Sequence, residues 1–290
     1  MIIDMHCHLD VRMMTAACLL AKMDSCGVDR TVLIACLNDP ITEPSEWIIS
    51  AGQALIGHRI TRQFAKLLVS NFTDSGDIRL PSGVARIYPD PDNAEVFEAV
   101  ENNPSRFMAW VFVNPAGCSD PAAEYIRWRD HPGCAGIKAH PFWHRYSPLK
   151  LLPAAELAAR DGRPLLIHPG FGPHGDFFSL RRELPGLKII LAHAGFPHYG
   201  DTWKKIKADK NIMVDFSSNH YVGVKTIRHA ARYLGPERCM FGTDGPYGRR
   251  QPDGTMDYGL IKRRIERIFP DKGVQRLILG ENFLRFAGIG

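Results

Sequence analysis

The sequence predicts an α/β fold, and within that class a (β/α)8 or TIM barrel built as a single domain. Eight short apolar runs rich in β-branched residues recur along the chain, and amphipathic stretches separate most of them. Length agrees, because a chain of 290 residues with 45% hydrophobic content can fill one barrel of about 250 residues. Near-continuous apolar strands that alternate with helices indicate a parallel sheet covered on both sides.

The eight apolar runs are the expected strands. They cover residues 2–7, 31–37, 107–113, 135–139, 164–168, 187–192, 211–216 and 238–242. Eight units favour a closed barrel over an open, doubly wound sheet. The open sheet is the alternative, but the first strand–helix turn, HCHLDVRMM, lacks the glycine-rich fingerprint of nucleotide binders.

Helix start and stop signals lie between the later strands. Caps at residues 119–121, 147–148 and 201–202 combine serine, aspartate or threonine with a following proline or an amphipathic stretch. Glycines at 162 and 235 follow the ends of two such stretches. These signals predict the outer helices of a barrel.

The segment 38–106 interrupts the regular alternation of expected strands and helices. We expect a helical piece around 43–69 and an extra strand at 83–88 (GVARIY), although that run could instead be the true third strand. An insertion that follows a strand lies on the barrel face where active sites are built. We therefore expect 38–106 to be an elaborated loop or lid within one domain, 1–290, and a candidate homodimer contact.

The amino-acid composition limits the classes of molecule that this protein is expected to bind. A net charge of +5 without a basic stripe argues against nucleic acid binding. Seven cysteines, odd in number and without a C-x-x-C pair, favour reduced thiols in a cytoplasmic protein. No apolar run reaches the length of a membrane span, about 18 residues, and because the first ten residues contain Asp4, His6, His8 and Asp10 we expect no signal peptide. We expect a small-molecule substrate, with no nucleic acid and no membrane partner.

Metal-ligating residue types recur at the strand ends. In MIIDMHCHLD, His6 and His8 point to one face of the first strand, because side chains at i and i+2 share a face. His168 ends PLLIH, His193 follows KIILA, and Asp244 lies in MFGTDGP after the eighth run. The carboxyl ends of barrel strands form one rim. The five residues therefore predict a metal site, with His6 and His8 as its first two ligands.

Several longer stretches carry a family resemblance. They are IIDMHCHLD, GIKAHP at 136–141, LLIHPGFGP at 165–173, KIILAHAG at 188–195, FGTDGPYG at 241–248 and ILGENFLRF at 278–286. With them the chain resembles the amidohydrolase superfamily, and more narrowly the branch of aminocarboxymuconate semialdehyde decarboxylase relatives and metal-dependent hydrolases. The resemblance implies that His6, His8, His168 and Asp244 hold the metal and that His193 faces the reacting group. Segment 38–106 matches no stretch of that branch.

The resemblance implies a metal-dependent hydrolase that cleaves a C–N or ester/lactone bond of a small molecule. One divalent ion is expected, zinc first, with manganese or iron open, since imidazole and carboxylate ligands accept all three. Asp244 would take the proton of a metal-activated water, and His193 would stabilise or protonate the developing oxyanion or leaving group. The alternative is non-oxidative decarboxylation of a small carboxylic acid at the same site.

Two further alternatives remain open at this point. A deoxyribonuclease of the TatD type resembles this barrel, but the fourth strand offers no glutamate. A barrel that binds a metal without catalysis would need the same ligands and show no turnover.

Four residues are candidates for substrate contact. Lys138 and His140 share a face of the fourth strand, with His140 nearer the rim and Lys138 deeper. By resemblance Lys138 could be a carboxylated lysine that bridges two metals; otherwise it is a buried lysine paired with an acid. Phe171 and His174 lie on a loop after strand five that could close over substrate.

Weaker candidates complete the set. Two histidines follow strands six and seven, and four arginines of the segment 38–106 could bind an anionic substrate: His198, His220, Arg59, Arg62, Arg79 and Arg86.

Overall fold

The computed structural model describes residues 1–41, 44–58, 60–63, 66, 71–80 and 83–289. Within them the strands are β1 (Ile3–Leu9), β2 (Arg30–Ala35), β3 (Ile78–Leu80), β4 (Gly83–Ala85), β5 (Phe107–Phe112), β6 (Cys134–Ala139), β7 (Leu165–Ile167), β8 (Ile189–Leu191), β9 (Ile212–Asp215) and β10 (Cys239–Met240).

Eight of these strands form the barrel, in the order β1-β2-β5-β6-β7-β8-β9-β10, and all their ladders are parallel. Hydrogen bonds between β1 and the chain directly after β10 close the barrel. The Met5 N–H donates to the Phe241 carbonyl at 3.1 Å, and the Thr243 N–H donates to the His6 carbonyl at 3.2 Å. The predicted (β/α)8 barrel and its eight strands are confirmed.

Helices cover the barrel between strands. Their bounds are Ala16–Cys26, Glu46–Gly57, Asn93–Asn102, Pro121–Trp128, Pro141–His144, Leu152–Arg160, Phe177–Glu183, Gly200–Ile206, Val224–Leu234, Leu260–Ile268, Lys272–Arg276 and Asn282–Ala287. The predicted cap at Asp120 accepts the Ala123 N–H at 2.7 Å. At residues 148–151 the helix start is a 3-10 turn that leads into Leu152–Arg160.

The third barrel strand is Phe107–Phe112. The alternative run near 83–88 instead supplies β4, which pairs antiparallel with β3 in a separate two-stranded sheet. The helix Asn93–Asn102 buries Phe97 and belongs to the barrel, since the Asn93 amide donates to the Phe112 carbonyl at 2.8 Å. The elaboration is thus confined to residues 38–92, which we name the insertion. Of the helical piece expected around 43–69, the helix Glu46–Gly57 is present, and residues 43, 59, 64–65 and 67–69 lie outside the described residues.

Polar contacts attach the insertion to three segments of the barrel that follow strands. Glu46 pairs with Arg249 at 2.6 Å, the Gln53 amide donates to the Asn219 carbonyl at 2.6 Å, and Arg62 pairs with Asp201 at 3.0 Å. These segments follow β10, β9 and β8. These contacts attach the insertion to the side of the barrel where the strands have their carboxyl ends.

Candidate active site

Two histidines of β1 form the centre of the site. The alternation of the strand sends His6 and His8 into the barrel together, and both are buried. The Nε2 atoms of His6 and His8 lie 3.4 Å and 3.8 Å from Asp244 Oδ1. Ligand atoms of these three residues all lie within 4.8 Å of one another. Two imidazoles and a carboxylate at this spacing are donors that fit one divalent cation.

His168 is separated from His6 by the ring of His193. Its ring centroid is 4.5 Å from that of His193 and 4.1 Å from that of His140. Its Nε2 is buried and has no hydrogen-bond partner among the described residues. A buried imidazole nitrogen without a partner is costly, so this atom fits a role towards a metal or a substrate.

Asp215, at the end of β9, orients His6. The His6 Nδ1 lies 2.8 Å from Asp215 Oδ2, and because a carboxylate only accepts, the proton is on Nδ1 and the lone pair on Nε2. His8 is oriented in the same way by the Ala35 carbonyl, 3.1 Å from its Nδ1. Such partners fix the tautomer that binds a metal. Asp215 was not among the predicted site residues, although its place near the end of NIMVDF follows the same strand-end pattern.

A second set of contacts joins Asp215 to His193. The His193 N–H donates to Asp215 Oδ1 at 2.9 Å, and the Ser217 hydroxyl lies 2.9 Å from His193 Nδ1 and 3.0 Å from His6 Nδ1. The rings of His6 and His193 are stacked with centroids 5.1 Å apart. The two histidines from distant strands are thereby held by one carboxylate and one hydroxyl.

Lys138 extends into the same centre. Its side chain is fully buried, and its Nζ lies 3.2 Å from His6 Nε2. His140 accepts the Trp143 N–H at Nδ1 over 3.1 Å, which leaves the proton on its Nε2. Both side chains line the cavity described below. Carboxylation of Lys138 and a second metal stay predictions.

Burial sets the charge state of the site. It lowers the pKa of His6, His168 and His193 well below 6.5, with the charge of Lys138 acting in the same direction. The imidazoles are therefore neutral, which is the form that binds metals. Burial also raises the pKa of Asp244 and lowers that of Lys138, since each charge is costly away from water.

Backbone geometry makes room for these side chains. A Cβ added at Gly242 would lie 2.8 Å from His6 Cβ and 3.0 Å from Ser217 Cβ, so only glycine allows the chain after β10 to approach these two residues so closely. Asp244 has φ of +64°, a left-handed conformation that aspartate tolerates better than most residues. Its N–H donates to the His6 carbonyl at 2.7 Å.

A cavity of about 670 Å³ opens above the site. His6, His8, Lys138, His140, His168, His193 and Asp244 form its polar base, which together with Asp215 we name the floor. The insertion supplies an apolar wall opposite: Ile41, Pro44, Ile48, Ile49, Ile56 and Ile78. The remaining wall includes Phe142, Trp143, Tyr221 and Tyr247, which the sequence analysis did not single out.

Two predicted substrate contacts lie elsewhere. Neither Phe171 nor His174 lines this cavity. The Phe171 ring packs edge-on against Phe142, with centroids 5.8 Å apart, and Phe142 itself forms the cavity wall. His174 is in the 3-10 turn Gly172–Gly175. A direct contact of these two residues with substrate stays a prediction.

Of the weaker candidates for substrate contact, some line the cavity and others do not. His220 and Arg79 line the cavity, whereas His198 lies beside Arg62, 3.4 Å from its guanidinium. Arg62 is buried and holds the Ile56 carbonyl and Asp201, and Arg86 lies over the Tyr88 ring. Arg59 lies outside the described residues.

A (β/α)8 barrel whose strand ends bring two histidines of one strand, a third histidine and an aspartate to one cavity defines a class of metal-dependent enzymes. The family model for Amidohydrolase matches residues 3–288. The chain belongs to this family and is a metal-dependent enzyme of it. No curated protein is a significant match to the chain.

Solved structures show the same fold at low sequence identity. A protein of Acinetobacter baumannii described as a probable 2-pyrone-4,6-dicarboxylic acid hydrolase, with citric acid bound, has a TM-score of 0.63 at 14% identity, over 99% of both chains. A 2,6-dihydroxybenzoate decarboxylase in complex with 2,6-dihydroxybenzoate has a TM-score of 0.62 at 16% identity, over 99% of this chain and 98% of that one.

A third similar structure contains a metal. The 5-carboxyvanillate decarboxylase of Novosphingobium aromaticivorans, with manganese and 4-hydroxy-3-methoxy-5-nitrobenzoic acid, has a TM-score of 0.56 at 15% identity, over 93% of this chain and 79% of that one. Among the described residues of the present chain, no helix is long and apolar enough to cross a membrane.

Proposed function

We propose that this enzyme hydrolyses a C–N or ester/lactone bond of a small molecule at one divalent metal ion held by His6, His8, His168 and Asp244. The observation that carries the proposal is the cluster of His6, His8 and Asp244 ligand atoms within 4.8 Å at the base of a cavity. The partnerless Nε2 of His168 supports the fourth ligand. When bound, the ion would supply Lewis acidity and lower the pKa of a water from 15.7 towards about 7.

The chain's own residues have distinct roles in this proposal. Asp244 accepts a proton at Oδ1, the oxygen nearest to both β1 histidines. His193, held at Nδ1 by Ser217, presents Nε2 to the oxyanion or the leaving group. Asp215 keeps the His6 lone pair on Nε2. Lys138 and His140 contact the substrate from β6.

The finer assignments are part of the proposal. Zinc is the metal we propose first, because its preference for nitrogen and oxygen ligands in a site with an open position agrees with this donor set. The cytoplasm is supported by the seven cysteines, all of which are free thiols. The homodimer contact of segment 38–106 stays a prediction, and sedimentation velocity would test it.

Non-oxidative decarboxylation of a small carboxylic acid is the second candidate. Three neutral imidazoles, those of His140, His168 and His193, meet with centroid distances of 4.1 and 4.5 Å between successive rings. In the hydrolysis proposed above, Asp244 and His193 transfer protons and His168 holds the metal, so His140 is the further group of this cluster that could protonate carbon.

Product analysis separates the two reactions. Protein loaded with zinc, manganese or iron is incubated with panels of esters, lactones, amides and carboxylic acids in water enriched in heavy oxygen. We expect one heavy oxygen atom in the acid product. Release of carbon dioxide with no oxygen incorporation would replace the hydrolase assignment by the decarboxylase. Tight metal binding with no turnover on any panel would favour a barrel without catalysis.

A further inference from the structure

The two ends of the cavity differ in chemistry. The floor carries the histidines, Lys138 and Asp244, whereas the insertion helix Glu46–Gly57 contributes Ile48, Ile49 and Ile56. Positions 48, 49, 52 and 56 are spaced so that they lie on one face of the helix. Gly52, between the isoleucines, keeps that face open. The part of a ligand that packs on this helix must therefore be apolar, whereas Asn38 and Asn71 add polar atoms elsewhere in the lining.

The size of the cavity excludes a very small ligand as its full occupant. Cavities of about 300 to 1,000 Å³ hold drug-sized molecules. The present volume of about 670 Å³ is in the middle of that range. A single acetyl-sized group at the floor would leave the isoleucines of the insertion in contact with water. A substrate with an extended apolar body removes that exposure.

One cationic side chain lies beyond the floor. Among the described residues that line the cavity, Arg79 is the sole arginine, and Lys138 at the floor is the sole lysine. Arg79 follows Ile78 in β3, its side chain is exposed, and it makes no ion pair with a described residue. An exposed guanidinium among the mainly aliphatic lining residues of the insertion fits a carboxylate or another oxyanion.

We propose that the substrate is an elongated amphiphile: the bond to be cleaved lies at the floor, an uncharged apolar chain or ring system packs against Ile48, Ile49 and Ile56, and an anionic group at the far end pairs with Arg79. This inference rests on the proposed function only in placing the reacting bond at the floor.

The test uses a homologous series of linear substrates on the zinc-loaded protein. The monomethyl esters of succinic, suberic and dodecanedioic acids vary the length of the apolar body, and methyl octanoate lacks the terminal anion. Hydrolysis joins a water oxygen to the carbonyl carbon, breaks the bond to the methoxy oxygen and releases methanol and the acid. Binding is measured independently by quenching of tryptophan fluorescence, since Trp143 lines the cavity. The ligands there are ethyl ketone analogues, in which carbon replaces the ester oxygen.

We expect the suberate compound to bind at least about tenfold more tightly than the succinate compound, because each buried methylene contributes about fourfold. Arg79→Gln should weaken suberate binding by about tenfold and leave methyl octanoate unchanged. The control Arg86→Gln removes an exposed arginine of the same segment that does not line the cavity. Ile49→Ser should weaken binding about threefold to tenfold, whereas Ile60→Ser, at an exposed site, should not.

The outcomes keep the two proposals apart. Equal affinity across the series, no effect of Arg79→Gln beyond that of its control, or no binding of the suberate analogue would overturn the inference. Hydrolysis of short esters in the same experiments would leave the proposed function standing. Length-dependent and Arg79-dependent binding without release of methanol would support the substrate class and contradict hydrolysis of esters.

Discussion

The floor and the insertion both line the cavity, but they differ in how their side chains are held in place. The floor is built from strand ends, its polar side chains are buried, and hydrogen bonds of Asp215 to His6 and His193 hold two of its histidines in place. The insertion presents mainly aliphatic side chains, and polar contacts at its edges attach it to the barrel. The comparison indicates that the floor determines the reaction and the insertion determines which molecule undergoes it.

The difference has a physical origin. Catalytic groups require fixed distances, and a barrel strand supplies them because its neighbours determine its register. A wall that selects for shape and hydrophobicity needs area rather than fixed distances, so a segment held by a few surface contacts is sufficient. Substitutions in the two regions should therefore affect different measured quantities.

The largest expected effect is at the floor. His6→Ala removes a proposed ligand and should abolish metal binding and lower kcat/KM by about a thousandfold or more, since a metal ion contributes several kcal/mol to such reactions. Elemental analysis and turnover measure the two effects. Ile48→Ala in the insertion is the matched comparison and should keep the full metal content. If both variants lost the metal, the division between floor and insertion would not hold.

A smaller effect concerns acid stability where barrel and insertion meet. His144 Nε2 donates to the Tyr88 carbonyl at 3.0 Å, and its buried Nδ1 has no partner among the described residues. Burial lowers the pKa of His144 from 6.5 to about 4. The unfolded chain therefore binds the proton first, so the stabilisation is present above pH 6.5 and is lost as the pH falls towards 4.

The loss from this one residue amounts to about 3 kcal/mol. Denaturant unfolding between pH 7 and pH 4 should show a weaker pH dependence for His144→Gln than for the wild type. His58→Gln, at an exposed histidine, should follow the wild type. An identical slope in all three proteins would remove His144 as a cause of acid unfolding.

Asp215 tests whether the floor depends on its supporting contacts. Asp215→Asn weakens the acceptor that holds the His6 Nδ1 proton and should lower metal affinity by about tenfold to a hundredfold, the usual cost of losing such a partner. Metal titration against a competing chelator measures it. Asp201→Asn replaces a carboxylate that pairs with Arg62 and should leave metal affinity unchanged. Equal loss in both variants would point to a general destabilisation.

The sequence predicted the floor better than the insertion, and the reason is geometric. Because all parallel strands end at one rim, knowing that His6 lies on the first strand and that His168 and Asp244 follow later strands is enough to expect them together. Asp215 also lies at a strand end, but its carboxylate contacts His6 and does not line the cavity. The pattern of strand-end ligands alone did not indicate such a supporting role.

No comparable rule predicts from the sequence where residues of the insertion lie. The positions of Ile48 and Arg79 follow from contacts such as Glu46–Arg249 and Gln53–Asn219, which join residues far apart in the chain. The antiparallel pair of β3 and β4 likewise depends on tertiary context, so its second strand resembled a barrel strand in the sequence. Phe171 followed a barrel strand, yet aromatic packing against Phe142 took it out of the cavity wall.

The smallest effect is expected where Arg12 joins β1 to the insertion. Arg12 makes two hydrogen bonds of 2.8 Å to Asp10, and it also contacts Asp39, the Asn38 carbonyl and the Tyr88 hydroxyl. Arg12→Gln removes most of these contacts and leaves the floor intact. KM should rise severalfold while kcat stays within about twofold, because only binding to the wall is altered. The control, Arg129→Gln, disrupts contacts with Asp130 and Asp161 on the outer surface and should change neither constant. A fall in kcat with unchanged KM would mean that the insertion also positions the reacting groups.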